Sequence, residues 1–375
     1  LKILDLFAGC GGMSLGFKMA GFKVPLANEI DLWAGDTYEA NHPETKLIRA
    51  DIRTIQNWKH ELGSQEIDGI VGGPPCQAYS LSGDRDPKDP RASLFMDFAK
   101  CVEQVNPKFF VMENVPGILS AKTASNKNVA KIVISTLSSM GYDVVSYEIL
   151  NAVNYGVPQI RNRVFFIGFR NDLSGKEWVT PAKTKKFPIP VTVDMAISDL
   201  PQIGSGEGEE EQDYPLMPQN SYQQWVRGDN LYVHNHIAMR HSQRLIDRFK
   251  VIGSGQNISD VPDEHSAVQR GDPSKKSGKV FSQNNMRVFG DKPSPTVPAS
   301  FQSNFIHPHL DRNFTAREGA RLQSFPDWYI FKGKRTVMSW EKHLSQYEQI
   351  GNAVPPLLAK AIAENVIEYL SQEGC

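Results

Sequence analysis

Cysteine is scarce. The 375 residues hold four (Cys10, Cys76, Cys101 and Cys375), with no metal-ligand spacing and no disulfide framework among them. That excludes a disulfide-stapled secreted domain and a cysteine-built zinc site, and it fits a reducing compartment. An excess of either charge is lacking too. The 41 Lys+Arg against 42 Asp+Glu leave a net charge of −1, so any contact with a polyanion must be a local patch. No apolar run approaches membrane-spanning length and there is no signal peptide, so the expected place is the cytoplasm, away from membranes. Internal repeats and low-complexity tracts are also missing. What remains is an ordinary globular balance, 40% apolar and 22% charged. The length calls for two domains, or one with a large insertion. The chain begins at Leu1 already inside an apolar strand pattern, so a few preceding residues, an initiator Met among them, are expected.

The strongest local signal is Gly72-Gly73-Pro74-Pro75-Cys76-Gln77-Ala78-Tyr79-Ser80. An apolar strand, 67–71, runs into two glycines and two prolines, and the prolines leave the turn few conformations. A cysteine so placed would stand at the carboxyl edge of a sheet, where open α/β folds bind ligands. It reads either as a nucleophile or as a buried structural thiol.

Earlier in the chain, strand 3–7 leads into Ala8-Gly9-Cys10-Gly11-Gly12 and then a helix over 13–20. Strand, glycine turn and helix open a nucleotide-binding α/β unit, although Ser14 stands where the dinucleotide fingerprint would have its third glycine. Glu29 ends the second strand, about 20 positions on. It could hold a ribose hydroxyl pair or serve as a helix N-terminal carboxylate. Asp51 ends strand three and could meet an adenine amino group or cap a turn. The polar stretch 81–91 balances three aspartates against three basic residues and reads as a lid or a solvated loop. Glu113-Asn114-Val115 ends strand five. Gln159-Ile160-Arg161-Asn162-Arg163 precedes strand seven, where alternation predicts Arg161 and Arg163 on one face.

The α/β rhythm then stops. Residues 171–311 are rich in Pro, Gly, Ser and Asn, with a helical period only near 238–249 and an acidic, exposed run at 207–213. Between Arg227 and Lys292, 11 Lys+Arg face 7 Asp+Glu, with four histidines, which makes this the place for a polyanion contact. His234, His236 and His241 read as core or phosphate contacts, since no cysteine near them supports zinc. The rhythm returns at 315–326. A last helix over 357–370 follows Gly351-Asn352-Ala353-Val354-Pro355-Pro356, with Asn352 expected as its N-cap and one apolar stripe through Leu358, Ile362, Val366 and Leu370.

These motifs together resemble the cytosine-5 DNA methyltransferase family, in its order and over nearly the whole chain. The elements are residues 5–12, Pro74-Pro75-Cys76-Gln77, Glu113-Asn114-Val115, Gln159-x-Arg161-x-Arg163, Arg317-Glu318 through Phe325-Pro326, and Gly351-Asn352-Ala353-Val354. Ala78-Tyr79-Ser80 stands where the family more often has Gly-Phe-Ser. The resemblance implies a Rossmann-like S-adenosylmethionine-dependent fold with a mixed seven-stranded sheet, its last strand antiparallel. Residues 1–170 plus 312–375 would form the catalytic and donor-binding domain, and 171–311 a smaller target-recognition domain. Phe7, Gly9, Gly11, Gly12, Glu29, Ile30, Asp51, Ile52, Pro74, Asn352 and Val354 would line the donor site, without a metal. S-adenosylhomocysteine would be the product.

The same resemblance makes Cys76, Glu113, Arg161 and Arg163 catalytic. Thiolate addition to C6 of cytosine makes C5 nucleophilic, Glu113 serves N3 and the exocyclic amine, Arg163 donates to O2, and Arg161 meets phosphate or supporting acids. Gln77, Ser80, Arg91 and Thr296 would contact double-stranded DNA, with Thr296 inside a short recognition motif, Ser294-Pro295-Thr296-Val297. The target base would have to swing out of the duplex. The expected protein is a monomeric prokaryotic enzyme, paired with a restriction endonuclease acting on the same site. The family's transfer-RNA branch is disfavoured because its Cys-Phe-Thr tripeptide does not occur here. A non-catalytic relative is disfavoured because Cys76, Glu113, Arg163 and the glycine turn are all present.

Overall fold

The computed structural model describes residues 1–75, 94–123, 126–173, 175–188, 190–269, 272–276, 284–338 and 340–372. The chain divides into two compact units. The first comprises Leu1–Tyr155, Asn162–Lys183 and Ala353–Cys375; the second comprises Gly156–Arg161 and Thr184–Asn352.

The first unit alternates strand and helix. Its elements are β1 (Lys2–Leu6), α1 (Gly12–Met19), β2 (Lys23–Glu29), α2 (Leu32–Asn41), β3 (Lys46–Arg49), α3 (Trp58–Leu62), β4 (Gly69–Gly72), α4 (Leu94–Val105), β5 (Phe109–Asn114), α5 (Val129–Ser139), β6 (Tyr142–Asn151) and β7 (Asn162–Arg170). The seven strands form one sheet in the order β3-β2-β1-β4-β5-β7-β6. β7 runs antiparallel to both neighbours, and the β1, β2, β3, β4 and β5 pairings are parallel. Helices over both faces explain why the central strands are continuous apolar runs. Phe109 through Met112 and Val164 through Phe166 are all buried. The strand order reverses at β1, between β2 and β4, and that is where open α/β sheets form their ligand crevice.

The final helix of the chain packs on α1. Gly16 makes this possible, because a Cβ there would lie 2.4 Å from the Ala359 Cβ and 2.5 Å from the Pro356 carbonyl oxygen. The C-terminal helix thereby returns to the start of the chain.

The second unit is built from short pieces. They are α6 (Val193–Ile197), β8 (Glu211–Asp213), α7 (Ser221–Arg227), β9 (Tyr232–His234), α8 (Gln243–Val251), β10 (Val268–Gln269), β11 (Asp272–Lys276), β12 (Met286–Arg287), α9 (Phe301–Asn304), β13 (Phe305–Ile306), α10 (Ala316–Leu322) and α11 (Gln346–Asn352). With so few long elements, buried charge supplies the framework. Arg312 makes two hydrogen bonds to Glu318, at 2.8 and 2.7 Å. Arg321 bridges Asp199 and Asp327. Arg317 donates to the carbonyls of His234, Pro326 and Tyr329. Removing one partner of such a pair strands a buried charge, so each pair specifies the packing around it.

Several expectations need correction. Asn352 does not cap the final helix, α12 (Pro356–Ser371): it is the last residue of α11, and Pro355 holds the N-cap position. The helix expected near 238–249 starts at Gln243, because Ser242 caps it and accepts from the Leu245 N–H. Part of the acidic run is a strand, β8, paired with β9. By packing, residues 312–352 belong to the second unit, and the first unit extends to Lys183.

The acidic face of this framework is testable. His236 is buried, with Nδ1 against the Thr315 hydroxyl at 2.9 Å and Nε2 against the Pro201 carbonyl at 2.8 Å. Burial pushes its imidazole down to about 4, and that of His307 down to about 3. Burial alone would raise the Glu318 carboxyl, but Arg312 outweighs it and holds the group well below its ordinary range. A histidine depressed in the folded state takes its proton first when unfolded. Its stability contribution is therefore complete above about pH 6.5 and is lost as pH falls toward 4 and 3. Hydrogen exchange across α10, corrected for intrinsic rates, should accelerate steadily from pH 7 to pH 5. The His307→Asn variant should show a shallower dependence, and identical slopes would contradict this assignment.

Candidate active site

Four strand ends meet at the carboxyl edge of the first unit's sheet. β1 ends at Leu6, in register with Asn28 of β2 and Gly72 of β4. β2 ends at Glu29 beside Arg49 of β3. Parallel strands deliver their following loops to the same edge, so the glycine turn, Glu29-Ile30, Asp51 and Gly73-Pro74 are neighbours by topology.

The turn is tightly specified. Phe7, Gly9 and Gly11 all have positive φ, at 56°, 55° and 89°. For the glycines this costs no Cβ clash, and Gly11 in that conformation caps α1. The Ala8 N–H donates to the Asn28 carbonyl at 3.0 Å, and the Gly11 N–H to Ala8 at 2.9 Å. Asn28 in turn donates to the Ile48 and Ala50 carbonyls, tying β2 to β3.

Glu29 is buried. Its Oε2 accepts the Gly9 N–H at 2.7 Å, and its Oε1 accepts the N–H groups of Ile30 and Asp31. Burial pushes this carboxyl up, against those three bonds. The helix N-terminal reading of Glu29 is not met: Asp31 caps α2, whose first turn has no acidic residue, and Glu29 instead ties the glycine turn to the backbone just ahead of that helix. Ile30 beside it is 64% exposed, a large apolar side chain left uncovered at the same edge. Asp51 caps the short 3-10 turn Ile52–Thr54 and holds Arg53 at 2.9 Å. Ile52 is buried in the core. Val354 is buried in the first unit and Asn352 is exposed on the second.

The second half of the edge is polar. β5 ends in Glu113 and Asn114, and Asn114 donates to the Pro74 carbonyl at 3.3 Å. Glu113 Oε1 is 2.9 Å from Arg163 Nε, and both side chains are largely buried. The pair follows from the sheet, since β5 lies antiparallel beside β7 with Asn114 opposite Val164. Burial pushes the Arg163 guanidinium down from its ordinary value, and Glu113 opposes that shift. Gly73, just past the end of β4, leaves room for the Glu113 carboxylate. A Cβ there would sit 3.1 Å from Glu113 Oε2, so a side chain at 73 would crowd the carboxylate.

Cys76, Gln77, Ser80 and Arg91 lie outside the described residues, as does the 81–91 stretch read as a lid. Arg161 lies outside β7, the strand that carries Arg163. It belongs to the second unit, where its buried guanidinium donates to the Val297 carbonyl at 3.0 Å and the Gly351 carbonyl at 2.9 Å. Gln159 is equally buried, accepting from the Val297 N–H and donating to the Leu322 carbonyl. Strand alternation holds only from Asn162 onward, because 156–161 is not strand. Thr296 is exposed and donates its hydroxyl to the Ile160 carbonyl at 2.7 Å. It lines a cleft of about 470 Å³ in the second unit, with Met286, Phe289 and Lys292.

Three buried residues beside the glycine turn, Asp5, Ser14 and Tyr38, had no role assigned from the motifs. A polar residue inside an otherwise apolar strand was the available signal. Among the described residues no group of three or more His, Cys, Asp or Glu could hold a metal ion. No helix among them is long and apolar enough to cross a membrane.

Known proteins bear on this site. The family model for C-5 cytosine-specific DNA methylases matches residues 1–368. The Type II methyltransferase M.DdeI of Desulfomicrobium norvegicum is 58% identical over 370 residues, covering 98% of this chain and 89% of that protein. The Type II methyltransferase M1.HphI of Haemophilus parahaemolyticus is 35% identical, covering 100% of this chain and 88% of that one. Among solved structures, a protein described as a DNA modification methyltransferase of an Escherichia coli prophage superposes with a TM-score of 0.76 at 28% identity, over 99% of this chain and all of the other. A carboxylate–arginine pair beside the Gly72–Pro75 segment, with a glycine turn on the same sheet edge, accords with these matches, and the chain belongs to the C-5 cytosine-specific DNA methylases.

Proposed function

We propose that this chain is a sequence-specific DNA methyltransferase of restriction-modification type, in which Cys76 adds to C6 of an extruded cytosine while Glu113 and Arg163 hold the base. The observation that carries the reading is the Glu113–Arg163 pair at 2.9 Å, with room for the Glu113 carboxylate left by Gly73, three residues before Cys76 in sequence. A buried carboxylate fixed by a guanidinium is oriented before substrate arrives, and pre-orientation is what positioned hydrogen-bonding groups need in order to act in a transition state. Glu113 offers its carboxyl to N3 and the exocyclic amine, and Arg163 offers N–H groups to O2. Together they take up the electron density that thiolate addition pushes into the ring. C5 becomes nucleophilic, takes the methyl group and loses its proton. Elimination of Cys76 then restores the aromatic ring.

The turn residues Phe7, Gly9, Gly11 and Gly12, with Glu29, Ile30 and Asp51, fit S-adenosylmethionine, the donor this family uses. The fit rests on backbone open to close approach, a buried carboxylate with spare lone pairs, and an exposed isoleucine at the adenine position. Pro74 and Val354, also of the first unit, would complete that site. When bound, the donor supplies an electrophilic methyl group. DNA reading falls to the second unit, through Thr296 and its cleft, and Gln77, Ser80 and Arg91 are the further DNA contacts in this reading. Arg161 serves as a brace: it is buried and donates to two carbonyls inside the second unit, which favours a framework role over phosphate contact. The protein is assigned as a cytoplasmic monomer acting on chromosomal DNA, sharing its site with a cognate endonuclease.

Bisulfite sequencing of DNA from cells expressing the protein tests the reading. Protected cytosines confined to one short sequence context are expected. Protection without context, or none, would overturn it.

A further inference from the structure

A buried polar chain lies under the glycine turn and has no part in the methyl-transfer chemistry above. Asp5, one residue before the end of β1, is 1% exposed. Its Oδ2 accepts the Ser14 hydroxyl at 2.6 Å. The carboxylate is also hydrogen-bonded by the Ser14 backbone N–H. Ser14 lies in the first turn of α1, so Asp5 clamps the helix start to the strand end. The loop between these two anchors is the glycine turn itself. Ser14 Oγ is 2.7 Å from the Tyr38 hydroxyl of α2, and Lys18 Nζ is 2.6 Å from His42 Nδ1 at the helix's outer end.

We propose that Asp5 is a positioning residue for the methyl donor: acting through Ser14, its ionised carboxylate holds the Phe7–Gly12 turn in its binding shape, so donor affinity follows the ionisation of Asp5. The inference rests on the assignment of the donor to that turn. Several charged or titratable groups face Asp5: Glu29 from β2, Lys18 from α1 with Glu44 behind it, and Tyr38 and then His42 from and beyond α2. Val71, its partner on β4, carries no charge. Burial raises the Asp5 carboxyl to about 7; the two Ser14 bonds oppose this, Glu29 adds to it and Lys18 subtracts. Burial pushes His42 down to about 3 and Tyr38 well above its ordinary value, so both stay neutral around pH 7.

The sign follows from the hydrogen bonds. Ionised Asp5 accepts both Ser14 donors, and a proton on the carboxyl removes acceptor capacity from the clamp. Donor affinity is therefore complete above about pH 7 and falls below it. By linkage, ligand binding lowers the carboxyl's proton affinity in return. If only the ionised form binds, affinity drops about tenfold between pH 8 and pH 6.

Titration calorimetry of the full chain with S-adenosylhomocysteine, from pH 6.0 to 8.5, reads this directly. Wild type should weaken about tenfold toward pH 6. Asp5→Asn should bind weakly with a flat profile. Ser14→Ala loses a bond that favours the ionised form, so its inflection should move to higher pH; it carries the test if Asp5→Asn does not fold. Parallel profiles for wild type and the variants would overturn the proposal. Gly11→Val tests the site assignment separately and should abolish binding at every pH. If Gly11→Val binds like wild type, the turn assignment fails. If it loses binding while wild type is flat with pH, only the role of Asp5 fails.

Discussion

Replacing Cys76 with alanine is expected to lower methyl transfer by at least about four orders of magnitude while leaving DNA and donor binding near wild type. Cytosine C5 is too weak a nucleophile to take a methyl group unaided. The proposed route makes it one through a covalent bond to C6, and alanine has no group that can form that bond. Thiolate suits the role because it adds readily and leaves again. The other cysteines with described surroundings cannot substitute. Burial pushes Cys10 up to about 12 and raises Cys101 well above its ordinary value, so both remain thiols. Single-turnover transfer from labelled S-adenosylmethionine, alongside DNA binding by anisotropy, checks the prediction. Substantial turnover by the variant would remove the covalent step from the mechanism.

The second large effect is expected at Glu113. Glu113→Gln keeps the shape but changes an acceptor-only carboxylate into an amide with one donor end. The 2.9 Å contact with Arg163 weakens, and the base edge meets a group that cannot exchange a proton at N3. We expect kcat to fall about 10²- to 10³-fold. Donor affinity should stay within about twofold, because the glycine turn is held by Glu29 and Asn28. Rapid-quench kinetics separates the two quantities. Equal losses in kcat and donor affinity would mean that Glu113 merely supports the sheet edge.

Much of this was legible in the sequence, for identifiable reasons. Buried parallel strands write themselves as apolar runs, and the turns that follow them carry Gly, Pro and polar residues. The sheet edge with Gly9, Glu29, Gly73 and Glu113 could therefore be read from one dimension. The Glu113–Arg163 contact needed the antiparallel register of β5 and β7, which sequence does not state. Arg161 shows where pattern reasoning fails. Spacing paired it with Arg163, but 156–161 is irregular backbone belonging to the second unit, so the alternation does not extend to it. The Arg317-Glu318 motif is likewise a framework feature: Glu318 pairs with Arg312 and Arg317 holds carbonyls, all buried. Motif spacing marks constrained residues, and burial then separates those that hold the fold from those that face substrate. The second unit was opaque because its helices are too short for a period to emerge.

In the proposed mechanism Cys76 bonds to C6 of the target cytosine. In the normal course the C5 proton leaves and the cysteine is eliminated. Fluorine at C5 cannot leave as a cation, so DNA carrying 5-fluorocytosine in the modified context should trap the adduct. Peptide mass spectrometry of the trapped complex, formed with S-adenosylmethionine present, is the most direct measurement. The expected result is one peptide spanning Cys76 and carrying the methylated fluorocytosine nucleotide. A stable complex joined through any other residue, or full methyl transfer with no adduct on Cys76, would contradict the claim.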